Sequence, residues 1–152
     1  MDPNAETRSI TQLIDFQNAT LFCTDFDFRV SIFDLSLVFH AHDGDAGLDI
    51  GQTIVVSGRA CVAVEAMEGT DAVIERAAGL SNGRALVVVK VSKPCQDMRF
   101  DVPVVGLKTI QVMRRSNARV LAVDARKTLL FERSALIKEA DEAGIAIVGM
   151  KD

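Results

Sequence analysis

The sequence contains no tryptophan, no tyrosine, two histidines and three cysteines. An odd number of cysteines, without a CxxC or other metal-ligand spacing, argues against a disulfide framework and a zinc site. We therefore expect reduced thiols in a cytoplasmic protein. His40 and His42 lie near two aspartates, but no third ligand follows at a suitable spacing, so a surface turn is the better interpretation.

Long apolar runs are also missing. None approaches the roughly 18–20 residues of a membrane span, and the polar, acidic N-terminus is unlike a signal peptide. Residues 1–47 carry eight acids and two bases, whereas residues 48–152 carry thirteen acids and fifteen bases. The mildly basic part suits an anionic ligand such as phosphate. Because no basic stripe is interleaved with aromatics, we expect no nucleic-acid partner.

The length of 152 residues predicts one domain, or one domain with an arm. Charge and phenylalanine content both change near residues 44–47, so residues 1–47 are interpreted as an N-terminal arm or extra strands. Within this arm, residues 26–39 alternate apolar and polar side chains, which is typical of half-buried strands. If this alternating face is exposed, it predicts a homodimer interface.

From Leu48 onward the pattern predicts an α/β (α+β) fold with a mixed sheet. Residues 53–56 and 61–64 read as a β-hairpin, followed by a helix to residue 80 with Thr70 or Asp71 as its cap. A buried strand follows at residues 85–89, and a helix at 109–116. A second hairpin is predicted from residues 120–123 and 128–131, then a helix capped by Ser134 and stopped by Gly144, then a strand at 145–148. The sheet would thus contain two hairpin–helix–strand units with helices packed on it.

The stretch from Lys90 to Gly106, KVSKPCQDMRFDVPVVG, carries the best candidate site. It follows a buried strand directly, and α/β sheets usually bind ligands at such strand ends. Pro94 and Pro103 remove backbone donors and bias their neighbours away from helix. We therefore predict an extended loop with a fixed course, rich in charged side chains.

Three stretches carry a family resemblance: DIGQ at residues 49–52, VEAMEGTDA at 64–72, and KPCQDMRFDVP at 93–103 with Gly106. In order and spacing, residues 48–152 resemble the C-terminal domain of the UDP-2,3-diacylglucosamine pyrophosphatases of lipid A biosynthesis, the type unrelated to calcineurin-like phosphoesterases. The resemblance implies a Mg²⁺-dependent hydrolase that cuts a nucleotide-sugar lipid to UMP and 2,3-diacylglucosamine 1-phosphate. It also implies a cytoplasmic localisation, with possible peripheral contact at the inner membrane.

The resemblance further favours roles for particular side chains. Asp97 and Asp101 are the expected Mg²⁺ ligands or water-positioning groups, with Arg99 and Lys93 as catalytic cations. The expected substrate-binding residues share positions beside a strand end or helix start, and are Lys90, Gln96, Glu68, Gly69, Thr70 and Asp71. Spacing alone favours a helix cap for Asp71 and a helix-dipole charge for Glu68. Cys95, without a histidine nearby to act as base, is interpreted as incidental.

Two departures from the family leave a second interpretation open. The family's N-terminal domain has no counterpart in residues 1–47, and Val104 stands where a threonine is expected. The alternative is a non-catalytic module that binds nucleotide-sugar or assembles with a separate N-terminal-type domain. Such a module would bind a UDP-linked ligand without releasing UMP.

Overall fold

The computed structural model describes residues 51–58, 60–92, 97 and 99–150, together with the backbone of Gln12 and Leu13. The six-stranded main sheet has the order β1-β8-β6-β4-β2-β3. Its strands are β1 (Gln12–Leu13), β2 (Thr53–Ser57), β3 (Ala60–Val64), β4 (Leu86–Lys90), β6 (Ala118–Asp124) and β8 (Ala146–Met150). A two-stranded ribbon contains β5 (Val104–Val105) and β7 (Leu129–Leu130). The helices are α1 (Thr70–Leu80), α2 (Leu107–Arg115) and α3 (Arg133–Ala143).

The direction of the strands defines one functional edge of the main sheet. Strands β4, β6 and β8 are parallel, and the connections between them contain α2 and α3. Strand β2 runs antiparallel to β4, and β3 antiparallel to β2. The last residues of β4, β6, β8 and β3 therefore lie at the same edge as the first residue of β2. We call this the carboxyl edge.

The hydrophobic core lies between the sheet and the three helices. Side chains from the strands, such as Val88 and Leu121, form one cluster with Ile74 of α1, Ile110 of α2 and Leu136 of α3. A second cluster of buried side chains lies on the opposite face of the sheet. The central strands are apolar on both faces, as parallel strands in a covered sheet are. No helix in the described part of the chain is long and apolar enough to cross a membrane.

The predicted mixed α+β sheet is confirmed, as are the first hairpin, the three helices and the strands that follow each of α1, α2 and α3. Strands β2 and β3 pair antiparallel around Gly58, whose φ is 61°. Gly144 ends α3 in the left-handed conformation with φ 65°, which glycine adopts without steric cost.

The predicted second hairpin is wrong. Strand β7 pairs in parallel with β5, with Val104 opposite Leu129, and not with β6. The backbone N–H of Leu129 donates to the Pro103 carbonyl, and that of Phe131 to the Val105 carbonyl. At the end of β6, the N–H of Ala125 donates to Met150 of β8. The chain therefore leaves the main sheet only after Ala125, and the N–H groups of Leu129 and Phe131 pair with the segment around β5 and not with β6.

The predicted helix caps are also wrong. The N-cap of α1 is Gly69, with φ 87°, and Thr70 and Asp71 lie inside the helix. The N-cap of α3 is Glu132, so Ser134 lies inside its first turn. The hydroxyl of Thr70 and the carboxylate of Asp71 instead bind side chains from other elements, as described below.

Candidate functional site

Lys90 is the centre of the carboxyl edge. It is the last residue of β4, and its Nζ donates a hydrogen bond of 2.8 Å to Oγ1 of Thr70, the first residue of α1. Oγ1 of Thr70 also lies 3.1 Å from Oγ1 of Thr53, the fully buried first residue of β2. Three elements thus contribute side chains to one polar cluster. The sequence predicts Lys90 and Thr70 as site residues and misses Thr53.

The charge of Lys90 is influenced by opposing effects. Burial lowers the pKa of Lys90 below its usual value of 10.5, while the carboxylates of Glu65, Asp71 and Asp101 act in the opposite direction. A partly buried ammonium has lost part of its hydration, and this loss strengthens its attraction to any anion that reaches it. The arrangement suits a phosphate group at Lys90.

Glu65 follows β3 and is held in place by backbone contacts. Its N–H donates to the Thr53 carbonyl over 2.8 Å. A Cβ added at Gly51 would lie 2.0 Å from the Glu65 carbonyl oxygen, so only glycine fits there. Oε2 of Glu65 is buried and has no hydrogen-bond partner in the described structure. A buried carboxylate oxygen without a partner is costly, which makes Glu65 a candidate to face a ligand or ion.

Asp71 joins the starts of two helices. Its Oδ1 accepts a 2.9 Å hydrogen bond from the Thr109 hydroxyl, and Oδ2 lies 3.0 Å from Nζ of Lys108. Thr109 and Lys108 lie in the first turn of α2. The structure therefore places Asp71 at the carboxyl edge, where it acts as a bridge between α1 and α2.

The hydrogen-bond partners of Glu68 lie outside this cluster. Its Oε2 accepts from the Ala66 N–H, and its Oε1 pairs with Arg76, which also donates to the Val64 carbonyl. These interactions, above all the hydrogen bond from Arg76, lower the pKa of Glu68 to about 2. With both carboxylate oxygens engaged, Glu68 fastens the loop that leads through Gly69 into α1. Its predicted role in substrate binding stays a prediction.

Asp97 and residues 99–101 form a compact turn. The N–H groups of Phe100 and Asp101 donate to the Asp97 carbonyl over 2.9 and 3.0 Å. The guanidinium of Arg99 donates to both carboxylate oxygens of Asp97, at 2.9 and 2.6 Å. This pairing lowers the pKa of Asp97 and raises that of Arg99. Oδ2 of Asp101 accepts a long hydrogen bond of 3.4 Å from Gln52.

The resemblance implies bound Mg²⁺, which requires oxygen ligands at the site. Among the described residues, no three His, Cys, Asp or Glu side chains form a group that could hold a metal ion. However, Mg²⁺ at phosphoryl-transfer sites commonly uses one or two carboxylates and takes its other ligands from phosphates and water. Asp101, and Glu65 with its unpartnered buried oxygen, supply such oxygens, so the residues fit a metal shared with substrate.

Lys93, Gln96 and Cys95 lie outside the described residues, as do His40, His42 and residues 26–39. Of the predicted site residues, the structure gathers Lys90, Thr70, Asp71 and Asp101 around one edge.

A buried carboxylate that sequence reasoning missed fixes the start of the site loop. Oδ2 of Asp124, the last residue of β6, accepts hydrogen bonds from the Ser92 N–H at 2.8 Å and the Ser92 hydroxyl at 2.6 Å. The available signal was an acid that ends a buried strand. Because the sequence pattern predicts a hairpin at this point, and a hairpin turn accounts for a polar residue without further partners, the role of Asp124 is not predicted.

Fold and site together define an α+β domain with a cluster of cationic, hydroxyl and carboxylate side chains at the carboxyl ends of its parallel strands. Over residues 31–148 the chain matches the family model of the LpxI C-terminal domain, and it belongs to that family. The predicted family resemblance is therefore confirmed. The match begins upstream of Leu48, and the domain boundary placed there stays a prediction.

A curated relative agrees with the family match. The chain is 39% identical over 110 residues to a Caulobacter vibrioides protein named UDP-2,3-diacylglucosamine pyrophosphatase LpxI. The aligned part is 68% of this chain and 39% of that relative. The chain thus spans less than half the length of the relative it matches.

Proposed function

We propose that this chain hydrolyses the pyrophosphate bond of UDP-2,3-diacylglucosamine in lipid A biosynthesis, with Mg²⁺ as cofactor. Water would attack one phosphorus, the bridging P–O bond would break, and the products would be UMP and 2,3-diacylglucosamine 1-phosphate. The observation that carries the proposal is the partly buried Lys90, which meets Thr70 and Thr53 at the carboxyl edge. Membership of the family and the name of the relative supply the reaction.

The helix starts at this edge support a phosphate ligand. The N-caps of α1 and α2 are Gly69 and Gly106, and neither helix has a side-chain cap from a described residue. The first backbone N–H groups of a helix lack intrahelical acceptors and carry partial positive charge. Lys90 and the start of α1 would together bind one phosphate, with Thr70 donating its hydroxyl hydrogen.

Asp101 is the proposed metal ligand, completed by substrate phosphates and water. Bound Mg²⁺ neutralises phosphate charge and stabilises the charge that develops as the bond breaks. Asp97 is the second proposed metal ligand, and since both its oxygens accept from Arg99, a metal would share them with the guanidinium. Arg99, held by Asp97 and 80% exposed, would reach the second phosphate. Lys93 and Gln96 are proposed to act from the same loop.

The test is UMP release from UDP-2,3-diacylglucosamine in detergent, with Mg²⁺ and with EDTA. Asp101→Asn should lower the rate by roughly 100-fold or more, as is typical when a group that stabilises transition-state charge is removed. Asp141→Asn on α3, which removes the same charge elsewhere, should leave the rate unchanged. If Asp101→Asn retains more than about a tenth of the rate, an effect under 1.4 kcal/mol, the role of Asp101 is wrong.

A second candidate function is a non-catalytic binding module. The exposed Val104, where a threonine is expected, favours it. Titration of UDP into the folded chain distinguishes the two. Binding that is weakened by Lys90→Met, with no UMP release at any Mg²⁺ concentration, would support the module and reject the hydrolase.

A further inference from the structure

A cavity lies at the carboxyl edge where β6 and β8 end. Its volume is about 390 Å³, which falls in the range of about 300–1,000 Å³ that is usual for small-ligand sites. It is lined by the ends of both strands, the turn between β6 and β7, strand β7 and the first residue of α3. Its apolar lining comes from Val123, Leu129, Leu130 and Ile147. We call this space the β6–β8 cavity.

The β6–β8 cavity lies beside the Lys90 cluster. In the parallel register, Lys90 of β4 lies opposite Val123 of β6, and Val123 lies opposite Gly149 of β8. Val88 and Val123 both belong to the core cluster under the helices, and residues two apart in a strand share a face, so Lys90 also faces the helices. Neighbouring strands are about 4.8 Å apart, so the strand ends that line the cavity begin roughly 5–10 Å from the backbone of Lys90. This separation is within the length of one nucleotide.

Three polar side chains of the cavity have unused hydrogen-bonding capacity. Oγ1 of Thr128 is buried and has no hydrogen-bond partner in the described structure. Arg126 and Arg133 are exposed, and neither guanidinium forms an ion pair or a hydrogen bond within the part of the chain that the structure describes. A buried hydroxyl without a partner carries a desolvation cost, and a ligand that supplies the partner removes that cost.

The charge at the cavity is mildly positive. Besides the two arginines, the lining contains the carboxylate of Asp124, whose Oδ2 already accepts two hydrogen bonds from Ser92. Glu132, exposed beside Arg133, is not among the described residues that line the cavity. Two guanidiniums and one carboxylate therefore leave an excess of positive charge, which favours a ligand attached to phosphate.

The combination of apolar walls, an unpaired hydroxyl and two guanidiniums selects the class of ligand. An acyl chain would cover the apolar side chains but leave the Thr128 hydroxyl without a partner. Inorganic phosphate would attract the arginines but leave the apolar walls uncovered. A pyrimidine nucleoside satisfies all three, because uracil has flat faces for apolar packing and guanidinium stacking, and an edge of carbonyl oxygens and one N–H for hydrogen bonds.

We propose that the β6–β8 cavity binds the uridine of the nucleotide-sugar substrate. The inference rests on the proposed function, which supplies a uridine joined to the phosphates at Lys90. Uracil would lie between the apolar side chains, with Thr128 and the arginines at its polar edge. The cavity would thus decide which nucleoside the site accepts.

The test is calorimetric titration of the full chain with UMP and with ribose 5-phosphate, in EDTA. UMP should bind more tightly, because ribose 5-phosphate lacks the base. Thr128→Val keeps the shape but removes the hydroxyl, and should lower UMP affinity by roughly three- to tenfold without changing ribose 5-phosphate affinity. Its melting midpoint should not fall, because the lost hydroxyl has no partner in the described structure. A residue that serves only the fold would not lower UMP affinity while sparing stability.

The arginines provide a second test. Arg133→Gln should lower UMP affinity by about tenfold, as expected for the loss of a charged hydrogen-bond donor. Arg84→Gln is the matched control, because Arg84 is exposed just before β4, at the opposite edge of the sheet. This control should bind UMP like the unaltered chain.

Three results would overturn the proposal. One is UMP binding no tighter than that of ribose 5-phosphate, and another is unchanged UMP affinity in both Thr128→Val and Arg133→Gln. The third comes from NMR of the Leu129 and Leu130 methyl groups, whose resonances UMP should shift. If dodecyl phosphate shifts them and UMP does not, the cavity takes an acyl chain and the proposal is wrong.

A hydrolysis assay separates this inference from the proposed function. Thr128→Val and Arg133→Gln should raise KM for UDP-2,3-diacylglucosamine, whereas Asp101→Asn should lose UMP release and still bind UMP in EDTA. Hydrolysis with an unchanged KM in both cavity variants would refute only the uridine site. A chain whose UMP affinity depends on Thr128 and Arg133, but which never releases UMP, would keep the uridine site and refute only the hydrolase.

Discussion

Gly51 is the position where one added methyl group should damage both stability and the candidate site. An added Cβ would lie 2.0 Å from the backbone oxygen of Glu65, whereas ordinary contact begins at 3.4 Å. In Gly51→Ala the two backbones must therefore separate by about 1.4 Å, the difference between these distances. Backbone atoms cannot move aside as the end of a flexible side chain can. The backbone that carries Gly51 or the backbone that carries Glu65 therefore has to shift.

The hydrogen bond from the Glu65 N–H to the Thr53 carbonyl, 2.8 Å long, resists that separation. Overpacking costs typically 1–3 kcal/mol, and a lost backbone hydrogen bond adds about 0.5–1.5 kcal/mol. We expect Gly51→Ala to lower the free energy of unfolding by about 2–4 kcal/mol. At roughly 2–4 °C per kcal/mol for a chain of this size, the melting midpoint should fall by roughly 5–15 °C.

Gly79 provides the matched control. It lies in α1 with nothing within 4 Å of an added Cβ. Alanine is a better helix former than glycine, so Gly79→Ala should raise the free energy of unfolding by roughly 0.5–1 kcal/mol. Urea and thermal unfolding of both variants, followed by circular dichroism, measure the opposite signs. If Gly51→Ala were as stable as the unaltered chain, or the two variants shifted together, the argument from close approach would be wrong.

Two further predictions concern charge. Glu68 has its pKa lowered from 4.5 to about 2, so its contribution to stability is present above pH 4.5 and is lost as pH falls toward 2; urea unfolding at several acidic pH values should show a shallower loss in Glu68→Gln, and an unchanged slope would contradict the Arg76 pairing. Lys90 has its pKa lowered by burial, so UDP affinity, measured by calorimetry, should decline as pH rises, beginning below the usual lysine value of 10.5. Lys90→Met should bind weakly at every pH, and an alkaline decline that persists in this variant would show that another group is responsible.

The parts of the fold that could be predicted from sequence are those where local pattern and final packing agree. Residues Val87–Val89 are β-branched and apolar, and they form a strand that is buried on both faces. Val73, Ile74 and Ala77 lie at helical spacing and are the buried residues of α1. In such segments propensity, period and burial lead to the same structure, so no knowledge of distant residues is needed.

The ribbon could not be predicted in this way. Strands of two residues have no measurable period, and the partner of Val104 lies 25 positions along the chain at Leu129. The predicted helix caps are wrong for a related reason. Thr70 has the chemistry of an N-cap, but its hydroxyl lies within reach of Lys90 and Thr53, and these partners depend on strand order. Capping rules consider only hydrogen-bond partners that are near along the chain. The partners of Thr70 are distant in sequence but close in space.

The same reasoning explains why the site was predicted in part. Lys90 and Thr70 could be assigned to one edge because polar residues at the carboxyl ends of strands meet there. Thr53 could not, since its presence requires β2 to run antiparallel beside β4. Asp124 is not predicted, because the sequence pattern favours a hairpin after β6 and a hairpin turn accounts for a polar residue there.

The carboxyl edge is held together by side chains that connect different elements. Asp71 joins α1 to α2, Thr70 joins α1 to β4 and β2, and Asp124 fixes the segment after β4 to the end of β6. Since no described side chain caps α1 or α2, their first N–H groups remain available for an anion. A helix usually gains about 1 kcal/mol from a cap, and here threonine and aspartate, which could cap α1, are used elsewhere. Uncapped helix starts beside a partly buried lysine are features that favour an anion, and they support the phosphate site proposed for this edge.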